Sequence, residues 1–252
     1  MHEIILFFVG IVVGAMNSVA GGGMLIGFPI MLGVGMPPLI ATATTNLVVL
    51  PGQLASAYGY RQYLHKLSLK YLLLLIPCMF GAAVGATILR HTSSTRFAHL
   101  APLLILFAVI LFSIQPFLHF HLHRHISQRS KNNQVLVLIG LALIPVAIYA
   151  GYFGPGFGFI MLAFLGFTSL RDVHKMNGLK NLAGASIAIA AIICLLSAHL
   201  FNWSLGLSMA AGCTIGGYSG SRVSLRFSSH AIRVVVIAIG FISAAYLAFR
   251  AY

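Results

Sequence analysis

Two glycine-rich stretches are the first places in this chain where the backbone itself could do chemistry. Residues 20–23 read AGGG and residues 151–158 read GYFGPGFG. Glycine lets a chain leave helical geometry and present free N–H groups, and such groups at the start of a helix attract an anion. A nucleotide-binding loop would also need a strand before it and a helix after it. The surrounding elements therefore decide which anion chemistry applies.

Polar side chains form a second candidate group. Thr45 and Asn46 close the stretch TATTN (42–46), and Lys180 and Asn181 close NGLKN (177–181). A lysine can neutralise an anion as a point charge, and amide or hydroxyl groups can donate hydrogen bonds to it. We therefore predict a substrate-binding site for a small anion. Its members are Gly21, Gly22, Gly23, Thr45, Asn46, Gly154, Gly156, Gly158, Lys180 and Asn181.

The composition indicates what kind of element holds these residues. Of 252 residues, 60% are hydrophobic, and only two are acidic. Apolar segments of roughly 20 residues, long enough to cross a bilayer, recur along the whole chain. The sequence thus predicts an all-α polytopic membrane protein with eight full spans: Ile4–Ala20, Leu39–Tyr60, Leu69–Leu89, Phe97–Leu118, Val135–Gly151, Met176–Leu200, Trp203–Gly220 and Ile232–Ala251.

Several other functions lack the residues they need. The net charge of +13 lies in short loops between apolar spans, which favours membrane topology over nucleic-acid binding. No Ser/His/Asp or Cys/His arrangement indicates an enzyme, and we predict no cofactor. The run HFHLHRH (119–125) could bind a metal, but it has no carboxylate or cysteine co-ligand and is more typical of a solvated loop. Cys78 and Cys213 could contact a thiosulfate-like ligand or simply pack.

The two halves of the chain resemble each other at a constant offset of 135 positions. This offset pairs Gly21 with Gly156, Gly23 with Gly158, Asn46 with Asn181, and Cys78 with Cys213. We predict two homologous repeats, residues 1–118 and 134–252, joined by a basic His-rich cytoplasmic linker at 119–133. Each repeat also holds one short apolar piece, Met24–Val34 or Phe157–Phe167, that is too short to cross a bilayer alone.

The distribution of basic residues distinguishes two topologies for these short pieces. If each broken piece counts as a crossing, twelve Lys and Arg residues share one side and three the other. If the pieces are re-entrant and return to their own side, the division is eight to seven. Cytoplasmic loops are enriched in Lys and Arg, which favours the first topology and makes the repeats inverted. Lys180 then either serves the site or extends toward the cytoplasmic surface.

The quoted motifs also resemble a known family. The stretch NSVAGGGMLIGFPIMLGVGMPPLIATATTN (17–46), together with YAGYFGPGFGFIML (149–162), DVHKMNGLKNL (172–182) and GGYSGSR (216–222), is similar to the TauE/SafE-type sulfite exporter family of membrane anion permeases. The resemblance implies a duplicated helical bundle that transports sulfite, an organosulfonate or a related anion. His174 stands where members of that family often have a small residue.

The hypothesis from sequence is therefore a multi-pass transporter of a small, sulfur-containing anion in the lipid bilayer of a bacterial inner membrane. No span carries a carboxylate, which argues against a cation pump. Two alternatives remain open at this stage. One is a passive anion channel, and the other is a non-transporting scaffold that uses the His-rich stretch as its partner site.

Overall fold

The computed structural model describes residues 1–125, 133–168, 170 and 172–223, and all regular structure in these residues is helical. The first half contains three long helices, one short broken helix and two single turns. These elements are α1 (His2–Val19), α2 (Met24–Gly33), α3 (Pro38–Gly59), α4 (Arg61–Leu64), α5 (Leu69–Leu72) and α6 (Leu75–Arg90).

The remaining elements repeat the same order after one long connecting helix. They are α7 (Ser94–His125), α8 (Asn133–Tyr152), α9 (Phe157–Gly166), α10 (Val173–Leu195), a 3₁₀ turn (Leu196–Ala198) and α11 (Trp203–Val223). Because α7 continues to His125, the first part of the predicted linker 119–133 is helical. Residues 126–132 lie outside the described part of the chain.

Five helical segments are long and apolar enough to cross a membrane. They are His2–Val19, Pro38–Gly59, Leu69–Arg90, Gln134–Tyr152 and Val173–Ala198. Two further predicted spans coincide with α7 and α11 and remain predictions, as does 232–251, which lies outside the described residues. The structure therefore supports a polytopic helical protein with fewer established spans than the eight predicted.

The broken helices α2 and α9 have ten residues each. At 1.5 Å per residue such a helix is about 15 Å long, half of the hydrocarbon thickness. Both are apolar around their whole circumference, which is typical of a helix buried inside a protein. Each follows a glycine-rich break that lies at the centre of the bundle, and each ends at a glycine, Gly33 or Gly166, with open space around it.

The structure corrects the gapless alignment of the two halves. Helices α3 and α10 begin 135 positions apart, but α2 and α9 begin and end 133 positions apart. The connection 167–172 is two residues longer than 34–37, which accounts for the difference. Gly21 is thus equivalent to Gly154 rather than to Gly156, and both adopt left-handed backbone, with φ of 95° and 96°.

Glycine stripes determine which helices pack together. A Cβ on Gly216 of α11 would overlap the Ile11 carbonyl oxygen of α1, and one on Gly220 would lie 2.7 Å from the Ala15 Cα. Close approach through small residues is the usual way in which membrane helices associate. The two contacts advance together along both chains, so α1 and α11 run in the same direction.

A second pair of helices, α6 of the first half and α8 of the second, packs in the same way. A Cβ on Gly81 of α6 would lie 2.6 Å from the Ile144 carbonyl oxygen of α8, and one on Gly85 would overlap that of Ile148. In both pairs, a helix of the first half packs against a helix of the second half. Helices α3 and α10 meet in the middle and run in opposite directions, because Gln53 lies against Gly184 while Ser56 contacts Asn181.

Candidate functional site

A cavity of about 50 Å³ lies where α1, α2, α3, α8, α9 and α10 converge. Its lining includes members of both buried apolar clusters, one built mainly on α1, α2 and α3 and the other on α6, α8 and α10. Seven of the ten predicted site residues line it, namely Gly21, Thr45, Asn46, Gly154, Gly158, Lys180 and Asn181. Gly22, Gly23 and Gly156 do not.

The cavity lies between equivalent parts of the two halves. With the corrected offset of 133 for the breaks and 135 for α3 and α10, seven pairs of corresponding residues line it. These pairs are Asn17 with Ala150, Gly21 with Gly154, Met24 with Phe157, Thr45 with Lys180, Asn46 with Asn181, Val49 with Gly184, and Gln53 with Ala188. Corresponding positions of the two halves therefore line the cavity, but their side chains differ in chemistry.

The two glycine breaks contact each other directly. A Cβ on Gly158 would lie 2.6 Å from the Gly21 Cα, and one on Gly21 would lie 2.7 Å from the Gly158 Cα. Real Cβ atoms do not approach other atoms so closely, so both positions require glycine. This contact brings the starts of α2 and α9 to the same wall of the cavity.

The first break is held in shape by a side chain of α1. The Gly23 N–H donates to Asn17 Oδ1 at 2.8 Å, and a Cβ on Gly23 would overlap the Val13 carbonyl oxygen. Gly23 therefore closes α2 against α1 and has no free N–H to offer an anion. Gly22 is buried beside it.

In the second break, the Tyr149 hydroxyl of α8 donates to the Pro155 carbonyl oxygen at 2.7 Å. Gly156 is left-handed, with φ of 94°. A Cβ there would point toward Ala108 of α7, 3.5 Å away. Gly156 thus shapes the turn into α9 and faces the neighbouring helix instead of the cavity.

Three backbone amides at the cavity, those of Met24, Gly154 and Gly158, have no acceptor among the described residues. The first turn of α2 pairs Leu25 N–H with the Gly22 carbonyl and Gly27 N–H with that of Gly23, and Met24 N–H has no acceptor within the described residues. In α9 the same holds for Gly158 N–H, while Phe157 and Phe159 donate to loop carbonyls. Unpaired N–H groups at helix starts favour negative charge.

Lys180 is buried in the centre of the bundle, with 2% of its surface exposed. Its ammonium group donates to the carbonyl oxygens of Asn17 at 2.8 Å and Ser18 at 3.2 Å, and to Asn177 Oδ1 at 3.1 Å. Asn17 and Ser18 end α1, whose last carbonyls lack helical partners. The side chain therefore points inward and caps α1, and it does not extend to a membrane surface.

No acidic side chain neutralises this buried charge. The chain has two acids, Glu3 and Asp172. Glu3 accepts a hydrogen bond from Ser204 at the exposed start of α1, and Asp172 caps α10 by accepting from the amides of His174 and Lys175. Lys180 thus gives the cavity a positive charge with no carboxylate beside it.

The remaining predicted polar residues differ in how strongly they are held. Asn181 Nδ2 donates to the Ser18 carbonyl at 3.2 Å and to Ser56 Oγ at 2.9 Å, and Thr45 Oγ1 donates to the Thr42 carbonyl at 2.7 Å. Asn46 is 5% exposed, and within the described residues its side chain makes one marginal hydrogen bond, 3.5 Å to the Ala43 carbonyl oxygen. Asn46 is therefore the predicted side chain best able to contact a ligand.

Sequence reasoning missed Gln53 and Asn17, both of which line the cavity. The Gln53 amide lies flat against Gly184, where any Cβ would overlap it, and its Oε1 is buried without a hydrogen-bond partner in the described residues. Gln53 follows Asn46 by two helical turns and so shares its face of α3. That spacing, within an apolar span, was a signal for it.

Over most of its length the chain is similar to known proteins of one family. The chain matches the sulfite exporter TauE/SafE family over residues 6–247. A Haemophilus influenzae protein named "Probable membrane transporter protein" is 31% identical over 251 residues, covering 96% of this chain and 92% of that protein.

Two further relatives have similar names. The Escherichia coli K12 "Probable membrane transporter protein YfcA" is 26% identical over 98% of this chain and 90% of its own length. The Sinorhizobium "Probable membrane transporter protein ORF9" is 27% identical over 92% and 87%. No solved structure matches the chain. The chain therefore belongs to the sulfite exporter TauE/SafE family, a family of membrane transporters.

Proposed function

We propose that this protein transports a small oxyanion, such as sulfite or an organosulfonate, through the cavity between the two glycine breaks. One observation carries the proposal: the buried Lys180 lacks an acidic partner in a cavity that also receives the starts of two broken helices. An unpaired charge is costly inside a membrane protein and is typical of a functional site. A bound anion would neutralise it.

The size of the cavity favours a compact substrate. Its volume of about 50 Å³ is several times the 10–15 Å³ that one water molecule needs. A small inorganic oxyanion fits this space better than a sulfonate with a long organic chain. Among the substrates that the family resemblance implies, sulfite is therefore the one we propose first.

The contacts of Lys180 indicate how it would act on the anion. All three donors of its ammonium already have acceptors, so it would contribute charge at short range without a direct hydrogen bond. Direct hydrogen bonds would come from backbone amides such as those of Met24 and Gly158. The side-chain amides of Asn46 and Gln53 would also donate to the anion. This division resembles an oxyanion site, in which backbone N–H groups supply geometry and a nearby cation supplies charge.

We also propose that the halves are inverted repeats and that alternating access moves one against the other. Supporting this, α3 and α10 are equivalent helices that run in opposite directions. The proposal is also supported by the seven pairs of corresponding residues around the cavity, because a cavity between the halves would open and close as they move. The broken helices α2 and α9 are the elements that can open it toward either side.

The orientation that we propose places the protein in a bacterial inner membrane with its basic end in the cytoplasm. The relatives named above are bacterial. Arg61, Lys66 and Lys70 follow α3, Arg222 ends α11 parallel to it, and Lys175 begins the antiparallel α10. These cations share one end of the bundle, as expected for a cytoplasmic face.

The experiment that tests this function is sulfite flux into proteoliposomes. We expect Lys180→Gln to lower the rate by tenfold or more, because about 1.4 kcal/mol of lost charge stabilisation is a factor of ten. Lys175→Gln is the matched control, since Lys175 is on the same helix outside the cavity. If Lys180→Gln transports sulfite as fast as wild type and Lys175→Gln do, the proposed site is contradicted. Unitary currents without counterflow would assign the same site to a channel.

A further inference from the structure

Four side chains form an interleaved stack where α3 and α11 end, which we name the Tyr–Arg cluster. The Arg61 guanidinium lies 4.4 Å from the centre of the Tyr58 ring, and the Arg222 guanidinium lies 5.5 Å from that of Tyr218. The two tyrosine rings stack on each other with centroids 6.3 Å apart and 29° between their planes. The cluster therefore connects the two helices through their aromatic rings.

The cluster holds two cations in place at the membrane surface. Arg61 also donates to the Tyr58 carbonyl at 3.3 Å, and Arg222 donates to the Tyr218 hydroxyl at 3.3 Å. Both arginines are exposed, as are Tyr58 and Tyr218. The chain's two acidic side chains are engaged elsewhere, so the guanidinium charges have no carboxylate partner.

The equivalent positions in the other half show that helix packing does not require this cluster. Applying the offset of 135 to α3 and α11, Tyr58 and Arg61 correspond to Ile193 and Leu196, while Tyr218 and Arg222 correspond to Ala83 and Thr87. Ile193 and Leu196 are 68% and 55% exposed. Helix α6 thus packs on α10 without a cluster of this kind, and the exposed apolar side chains there suit contact with lipid chains. The Tyr–Arg cluster is therefore present at one end of the bundle without being needed for helix packing.

We propose that the Tyr–Arg cluster binds the phosphate headgroup of an anionic phospholipid. Arginine recognises phosphate through its planar fork of donors, and stacking on tyrosine reduces the freedom that the fork loses on binding. Tyrosines are typical of the membrane–water interface, and basic sites between helices bind anionic headgroups. None of the four side chains lines the central cavity, so this site is separate from the one proposed for transport.

The test measures lipid retained by the purified full-length protein, using native mass spectrometry after incubation with phosphatidylglycerol or phosphatidylcholine. We expect wild type to prefer phosphatidylglycerol and Arg61→Gln/Arg222→Gln to bind it at least tenfold more weakly. The basis is a contribution of roughly fivefold per arginine near the surface. Arg90→Gln/Arg96→Gln makes the same charge change at the opposite end and should leave binding unchanged.

Three results would overturn the proposal. These are equal binding of the two lipids by wild type, equal loss in the Arg90/Arg96 control, and full displacement of phosphatidylglycerol by inorganic phosphate at equal concentration. If the glutamine variant does not fold, Arg61→Lys/Arg222→Lys replaces it. The fork is then lost but the charge remains, so weaker binding supports the proposal and undiminished binding contradicts it.

Discussion

At the scale of single residues, the site combines one buried charge with amide donors. Lys180 is held by the end of α1, Asn181 bridges α1 and α3, and Asn46 has only a marginal contact. A buried polar side chain whose hydrogen-bonding groups lack partners costs free energy unless a ligand pairs them. Asn46 and Gln53 are therefore the residues whose substitution should affect binding more than folding.

Gln53 and Gly184 test whether Gln53 contributes to anion binding. The Gln53 side-chain amide occupies the space that the missing Gly184 side chain leaves open. We expect Gln53→Ala to weaken sulfite binding roughly tenfold, as for the loss of one hydrogen bond to a charged group. Gly184→Ala should have a similar effect, because its methyl group would overlap the Gln53 amide. Isothermal titration calorimetry of the purified protein measures both.

The double variant distinguishes this mechanism from general damage. If Gly184→Ala acts by displacing Gln53, the double variant should bind about as weakly as either single one, so the effects do not add. Gly33→Ala is the control, since nothing lies within 4 Å of a Cβ there. Additive losses, or wild-type affinity in Gln53→Ala, would remove Gln53 from the site.

Part of the site was predictable at this scale. Four of its residues are polar side chains in apolar spans: Thr45, Asn46, Lys180 and Asn181. Because a polar side chain in a membrane span is energetically costly, its presence there indicates a functional site. Asn17 and Gln53 are equally polar, but their equivalents Ala150 and Ala188 are apolar, so a search for paired residues passes over them. The roles of Gly23 and Gly156 depend on which neighbour each faces, and tertiary packing alone decides that.

At the scale of elements, the contact between the two glycine breaks shapes the cavity. Gly158 at the start of α9 touches Gly21 before α2, and the amides of Met24 and Gly158 have no acceptor among the described residues. We expect Gly158→Ala to force the breaks apart and to abolish sulfite flux, because overpacking in a tight contact costs about 1–3 kcal/mol. Gly166→Ala, in the same helix with open space around its Cβ, should transport normally. Wild-type flux in Gly158→Ala would refute this role.

The helices themselves were largely predictable, whereas their exact equivalence was not. Hydropathy and length placed α1, α3, α8 and α10 close to their observed ends. The gapless offset of 135 was wrong for the breaks because glycine-rich stretches match each other in more than one register. The two extra residues of 167–172 lie after the break, where neither glycine spacing nor hydropathy reveals them.

At the scale of the whole molecule, the two halves are held together by helices that pack across the boundary between them. Helix α1 pairs with α11 and α6 pairs with α8 through glycine stripes, so each half completes the other. Sequence similarity predicted two repeats but not this exchange of partners, which depends on long-range packing. The family and the helical membrane architecture followed from motifs and composition, while the cavity required the three-dimensional arrangement.

The central claim is that one small oxyanion binds between the two breaks beside Lys180. It is tested most directly by a cryo-EM density map of the protein with selenite, an electron-rich analogue of sulfite. We expect a single strong peak within hydrogen-bond distance of the Met24 and Gly158 amides and close to Lys180, absent in the Lys180→Gln variant. Selenite bound elsewhere in the bundle, or a cavity filled only with water at saturating selenite, would contradict the account.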